Sequence, residues 1–205
     1  MTDFSSPTAV AAPLTDATRA AQFYVVSLRK FAILFFMTLG GYQLYWFYKN
    51  WRCFKDGKPS ASESGPSIWP VPRALFSIFF VHSLFRVVKQ HAPDNARVAA
   101  WENGNHATLV VVLIILSNGL SRLSNRSGDA FWPDLLSLLI LLPLGYAMGA
   151  AQEKINLACG DPEGATNAAL TTANYVWIVL GAIAWVAILM GIFSVGTPAT
   201  GELGW

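Results

Sequence analysis

The sequence predicts an all-α integral membrane protein with five hydrophobic helical segments, three of them full spans and two shallow or re-entrant. Three observations carry this reading. First, 54% of the 205 residues are hydrophobic and only 13% are charged, against about 25% charged in an ordinary soluble domain. Second, charge is missing from whole stretches, 31–48, 74–85, 103–121, 135–152 and 164–201, which is the pattern of a polytopic chain. Third, the basic residues cluster beside apolar runs, as membrane topology demands. A net charge of +2 is too small to imply nucleic acid, and none is expected as a partner.

Residues 1–26 read as a flexible tail rich in Ala, Ser, Thr and Pro, without the basic start and apolar core of a secretory signal. Residues 27–195 form a single helical membrane domain, and 196–205 a short C-terminal tail. The first apolar run, 31–48, is eighteen residues long, about 27 Å of helix. Gly40-Gly41 weakens its middle, by roughly 1 kcal/mol per glycine. The second, 74–85, has only twelve residues between Arg73 and Arg86. That is about 18 Å of helix, too short to cross unaided, and an interfacial helix fits it better.

The remaining runs approach the ~20 residues that cross ~30 Å of hydrocarbon. They are 107–123, 131–151 and 173–195. Pro133 suits the first turn of the fourth run, and Pro143 should kink it. Asn174, Tyr175 and Trp177 open the fifth as an interfacial group. In the 151–173 connection, Gly160 is placed to end a helix that outruns the membrane, and Asp161-Pro162-Glu163-Gly164 is turn chemistry.

Charge bias chooses among topologies. If all five runs span, the Lys and Arg residues divide evenly. If only the last three span, 12 of the 14 lie on one side, with Arg122 and Arg126 on the other. The expected arrangement has the N-terminus in the cytoplasm and the C-terminus outside.

Candidate binding residues concentrate in 38–58. Tyr42, Tyr45, Trp46, Tyr48 and Trp51 sit where apolar chain meets Lys49, Arg52, Lys55 and Lys58. Two readings stand side by side. One is an aromatic belt plus a basic stop signal. The other is a lipid-headgroup site with aromatic walls, in which Lys49 and Arg52 pair a phosphate. His82 and Arg86 share a helix face at i, i+4 and are the second candidate, set against a packed His and a snorkelling Arg. Asn118 should hydrogen-bond a neighbouring helix, while Gln152, Glu153, Asn156 and Asn174 should cap or meet headgroups. Gly145 and Gly149 form a GxxxG in the fourth run, and Gly181 and Gly191 put small residues along the fifth. These are packing faces, within the molecule or between copies.

The motif TLGGYQLYWFYKNW resembles the signature of a family of uncharacterised small bacterial inner-membrane proteins. Its matching residues are Thr38, Gly40, Tyr42, Tyr45, Trp46, Phe47, Tyr48, Lys49, Asn50 and Trp51. Weaker matches follow at RALFSIFF (73–80), AQEKIN (151–156), Asn174 and LGAIAW (180–185), so the likeness covers most of 27–193. Gly40-Gly41-Tyr42 departs from the usual glycine-hydrophobic-tyrosine, which should loosen the turn. The resemblance implies a multi-pass protein of the bacterial inner membrane and no particular substrate or reaction.

No metal or cofactor is expected. Cys53 and Cys159 are far apart and form no CxxC, and HExxH, GxSxG and glycine-rich phosphate motifs are missing. The function expected is therefore non-catalytic: binding of membrane lipid or a membrane protein partner in an accessory or envelope role, or a homo-oligomer. The alternative is a small transporter or channel subunit, disfavoured by the scarcity of ionisable residues in the spans. A membrane enzyme would need a cluster that three scattered histidines do not supply.

Overall fold

The computed structural model describes residues 22–57, 68–124 and 131–195. The tails 1–21 and 196–205, with Lys58 and Arg126, lie outside them. The described residues are helical apart from turns and one extended segment, 22–27. The helices are α1 (Leu28–Met37), α2 (Tyr42–Asp56), α3 (Pro70–Leu75), α4 (Ser77–His91), α5 (Ala96–Ala99), α6 (Asn103–Ser124), α7 (Phe131–Ala158) and α8 (Thr172–Val195), with a 3₁₀ turn at Ala165–Asn167.

Among the described residues, three helices are long and apolar enough to cross a membrane: Asn103–Arg122, Trp132–Ala158 and Thr172–Gly191. They correspond to the third, fourth and fifth runs. The fourth continues beyond 151 to Ala158. Gly160, at φ +76°, ends it as expected, with Gly160 N–H bonded to Leu157 O and Asp161 N–H to Asn156 O. That pair of bonds is a Schellman cap.

The first run is not one helix. Leu39 (φ 53°) and Gly40 (φ 82°) are left-handed and separate α1 from α2. Gly40 accepts this backbone freely, whereas Leu39 carries a cost of about 1–2 kcal/mol. Thr38 joins the two helix ends. Its hydroxyl donates to Leu34 O at 2.7 Å and accepts from Tyr42 N–H at 2.8 Å. The helices then run antiparallel, with the Phe31 ring edge-on to Tyr42 (5.7 Å) and Trp46 (6.4 Å). Both open ends of this hairpin meet again, with Phe23 stacked on Phe54 at 5.6 Å. Its tip rests against Leu141, Gly145 and Gly181, near the middle residues of α7 and α8.

The second run is broken as well. Phe76 (φ −100°, ψ 38°) divides α3 from α4. α4 then packs on α6.

The glycines expected to form packing faces divide. A Cβ on Gly145 would come within 2.6 Å of the Phe36 ring, while Gly149 has nothing within 4 Å. On α8, Gly181 admits the Met37 carbonyl, whereas Gly191 faces open space. Each face therefore rests on a single glycine, and both seat the hairpin. Trp185 adds an indole hydrogen bond to Phe36 O at 2.9 Å.

All but the last residue of the extended segment lies within the residues assigned to the tail. Phe23 and Val26 are 2% and 0% exposed. A strand without a partner strand must satisfy its main chain elsewhere, and here side-chain amides do it. Asn50 accepts from Tyr24 N–H (3.2 Å) and Gln152 donates to Tyr24 O (3.1 Å). Asn167 donates to Val25 O (2.9 Å). Asn156 pairs with both sides of Val26, accepting from its N–H (3.3 Å) and donating to its C=O (2.9 Å). Gln152 and Asn156 are thus fully buried rather than helix-end caps.

Candidate functional site

α2 has two faces. Trp46, Phe47, Asn50 and Trp51 are fully buried, and Tyr42 nearly so. Trp46 and Trp51 therefore do not belong to an aromatic belt. The Trp46 indole donates to Gln152 Oε1, and the Arg73 guanidinium lies over the Trp51 ring at 4.3 Å. A buried indole is held by such partners, not by headgroups.

The outward face carries Tyr45, Tyr48, Lys49 and Arg52, spaced at helical intervals. Tyr45 is 47% exposed. It meets the Tyr24 ring edge-on at 6.0 Å, and Tyr42 donates to the Tyr24 hydroxyl at 3.3 Å. One turn further, Lys49 Nζ stands 5.5 Å from the Tyr24 ring centroid. Arg52 donates to the Tyr48 hydroxyl at 3.4 Å and pairs with Asp56 at 3.7 Å. Lys49 thus sits over the Tyr24 ring and Arg52 beside the Tyr48 hydroxyl, toward the end of the hairpin remote from its tip.

Below these tyrosines a groove of about 370 Å³ separates the hairpin from α8, lined by Leu34, Thr38, Tyr42, Tyr45, Asn174 and Trp177 among others. Trp177 is 59% exposed. Asn174 fixes the start of α8, accepting from Thr171 N–H (3.0 Å) while Thr171 Oγ1 accepts from Asn174 N–H (3.4 Å). This reciprocal cap sets the angle at which α8 closes the groove. The arrangement offers an apolar slot, phenol hydroxyls at its rim and two cations above.

His82 and Arg86 do not join this site. The His82 ring nitrogen bonds Thr108 Oγ1 at 3.1 Å, and Arg86 is exposed. Asn118 does not bridge helices; its amide donates to Ile114 O of its own helix at 2.9 Å. His106 has a partner at each ring nitrogen. It accepts at Nδ1 from the Trp101 indole (2.8 Å), and its Nε2 meets Ala147 O at 2.8 Å. A carbonyl can only accept, so the ring is the Nε2–H tautomer.

Tyr24 and Trp177 were missed as partners of the Tyr45 face. Tyr24 lies in the predicted tail, and Trp177 in the interfacial group that opens the distant fifth run. Nothing local joins them to Tyr45. Among the described residues no group of three or more His, Cys, Asp or Glu side chains could hold a metal ion. Both cysteines are free, and burial pushes the Cys159 thiol up to about 12.

Comparison with protein-family models, with curated proteins and with solved structures gives no match. The likeness carried by residues 38–51 therefore assigns no family.

Proposed function

We propose that this chain is a non-catalytic, multi-pass protein of a bacterial inner membrane whose α1–α2 hairpin re-enters from the cytoplasmic side and holds an anionic lipid. The observation that carries the proposal is the outward face of α2. There Lys49 lies over the Tyr24 ring and Arg52 beside the Tyr48 hydroxyl, and an apolar groove runs beneath toward Leu34 and Trp177. An amphipathic ligand with a negative head and a hydrocarbon tail has this polarity. Basic groups at such a depth attract anionic headgroups at about 1 kcal/mol each. The orientation follows from the charge distribution. Lys49, Arg52, Lys55, Lys89, Arg97 and Lys154 gather at the end of the bundle where the 22–27 segment is clamped, with only Arg122 of the described cations at the opposite end.

Native mass spectrometry tests this, with the protein reconstituted with and without anionic lipid. Wild type should retain the lipid through detergent exchange. Lys49→Gln with Arg52→Gln should weaken retention by roughly 30-fold, from two charges at ~1 kcal/mol each. Trp177→Ala should weaken it without changing its salt dependence, since the indole contributes contact and no charge. Equal retention by wild type and the double variant would reduce the cations to a topology signal. A stoichiometric protein in place of lipid would favour an accessory subunit.

A further inference from the structure

The end of α4 and the start of α6 frame a cavity of about 390 Å³, lined by Arg86, Lys89, Gln90, Pro93, Ala99 and Asn103. Its size suits a small ligand or a headgroup, at ~300–1,000 Å³ for such sites. Two cations and two amide side chains line it, and among the described residues no carboxylate does. Lys89 is fixed at its edge. One ammonium N–H goes to Trp101 O at 2.8 Å, which leaves the others for a ligand. Arg86 is exposed and, among the described residues, makes no ion pair and no hydrogen bond. Asp94 and Glu102 adjoin the lining in sequence. Neither forms an ion pair with Arg86 or Lys89, and Glu102 already accepts from the Asn105 amide at 2.8 Å.

The surface changes character away from this cavity. α4 and α6 run antiparallel, with the Phe85 ring against His106 at 5.3 Å and, one turn back along α4, His82 bonded to Thr108. On α4, Phe79, Arg86 and Gln90 are exposed at i, i+7 and i+11, which places them on one stripe. Phe79, its apolar end, is 72% exposed. On α6, Val112 and Ile115 continue the face of Thr108 at i+4 and i+7, and they are 45% and 54% exposed. From Phe79 to Arg86 is about 10 Å of helix, enough to pass from hydrocarbon into the headgroup layer. A guanidinium fork and an ammonium match phosphate oxygens. Soluble phosphate would use the cations and leave the apolar stripe idle, whereas a phospholipid uses both.

We propose that this cavity is a second anionic-lipid site, independent of the groove beside α8. Arg86 and Lys89 hold the headgroup phosphate, the Gln90 and Asn103 amides meet its polar substituent, and the acyl chains lie along Phe79, Val112 and Ile115. Arg86 thus works with Lys89 rather than with His82.

Native mass spectrometry of the full chain in mild detergent tests this, with phosphatidylglycerol, phosphatidylcholine and inorganic phosphate as probes. Each is read in wild type and in the Lys49→Gln, Arg52→Gln background, where loss at this cavity shows whether or not the groove holds lipid. In that background one phosphatidylglycerol should remain bound, more tightly than phosphatidylcholine. Arg86→Gln, with no bond in the protein to lose, should weaken it about fivefold, and Arg86→Gln with Lys89→Gln about 30-fold, as expected for one and two basic groups at the headgroup layer. Phe79→Ala should weaken it at low and high salt alike, because a ring carries no charge to screen. Melting of each variant checks the fold, and if Lys89→Gln disturbs the Trp101 turn, Arg86→Gln alone decides. Phosphatidylglycerol held equally by wild type and Arg86→Gln, in the same background, would overturn the site. Its displacement by millimolar inorganic phosphate would make the cavity a soluble-phosphate site and overturn the lipid assignment.

Discussion

The two halves of α7 pass through different surroundings. In its second half Ala147, Met148, Ala151, Gln152, Ile155 and Asn156 are all at 2% exposure or less. They press against the hairpin and the extended segment. In its first half Leu136, Leu139 and Leu142 are 47–59% exposed, and serines line a cavity. One helix thus serves as a core element at one end and a membrane wall at the other. The difference comes from what it meets. At the clamped end four amide side chains hold a strand that no sheet supports, and aromatic rings close around them. Burial in this protein follows polar anchoring: apolar surface is covered where amides have first brought a second layer of chain.

This contrast can be broken most directly at Asn156. Asn156→Leu removes the paired bonds to Val26 and strands a buried N–H and C=O. At roughly 1–3 kcal/mol for each unsatisfied group, the loss should approach about 4 kcal/mol. It should appear as a large fall in melting temperature in mild detergent and as proteolysis near Phe23. An unchanged melt would show that the strand is held by packing alone.

A smaller effect sharpens the comparison within one helix. Gly145→Ala drives a methyl into the Phe35 and Phe36 rings, an overpacking cost of about 1–3 kcal/mol. Gly149→Ala, one turn on, and Gly191→Ala in α8 have open space beside them and should stay within about 0.5 kcal/mol of wild type. Equal destabilisation by all three, on the same melting assay, would restore a continuous small-residue seam between copies.

The smallest effect concerns the loop that carries Asn167. The Asp161 carboxylate accepts from the Thr166 N–H and hydroxyl and from the Ala165 N–H at 2.7–3.0 Å. The Thr166 bonds foremost hold its pKa below the usual carboxylate range. A depressed value means that its contribution is present above the ordinary carboxylate range and disappears as pH falls through the lowered one. Asp161→Asn should therefore weaken the loop by less than about 1 kcal/mol and remove that acid dependence. Amide hydrogen exchange at Ala165 and Thr166, read between neutral and acid pH, distinguishes the two proteins.

Much of the architecture was legible in the sequence. Three spans follow from hydropathy, because lipid forces every backbone polar group of a crossing segment into its own helix. The interruption at Gly40 and the helix end at Gly160 follow from local conformational preference. The inward face of α2 did not. Tyr42, Tyr45, Trp46, Tyr48 and Trp51 are all aromatic, and a pattern of rings at a membrane edge reads alike from either side. What turns Trp46 inward is Gln152, more than a hundred residues away. The clamped strand was illegible for the same reason. Val25 and Val26 look like the end of a tail until Asn156 and Asn167 are placed beside them. Long-range amide pairing leaves no periodic trace, so the placing of Tyr24 beside Tyr45 is equally illegible.

The clamp also imposes an order on biosynthesis. Val26 leaves the ribosome 130 positions before Asn156, its partner on both sides. Throughout the synthesis of α3 to α6 and most of α7, the nascent 22–27 segment has only Asn50, on Tyr24 N–H, as a mate for its peptide groups. It must wait in the aqueous phase or the headgroup layer until the α7–α8 connection emerges. The α1–α2 hairpin is made first and seated last. A chain arrested before residue 156 would carry its three-dimensional lock without the key, leaving its N-terminal helices open to quality-control proteases until translation nears completion.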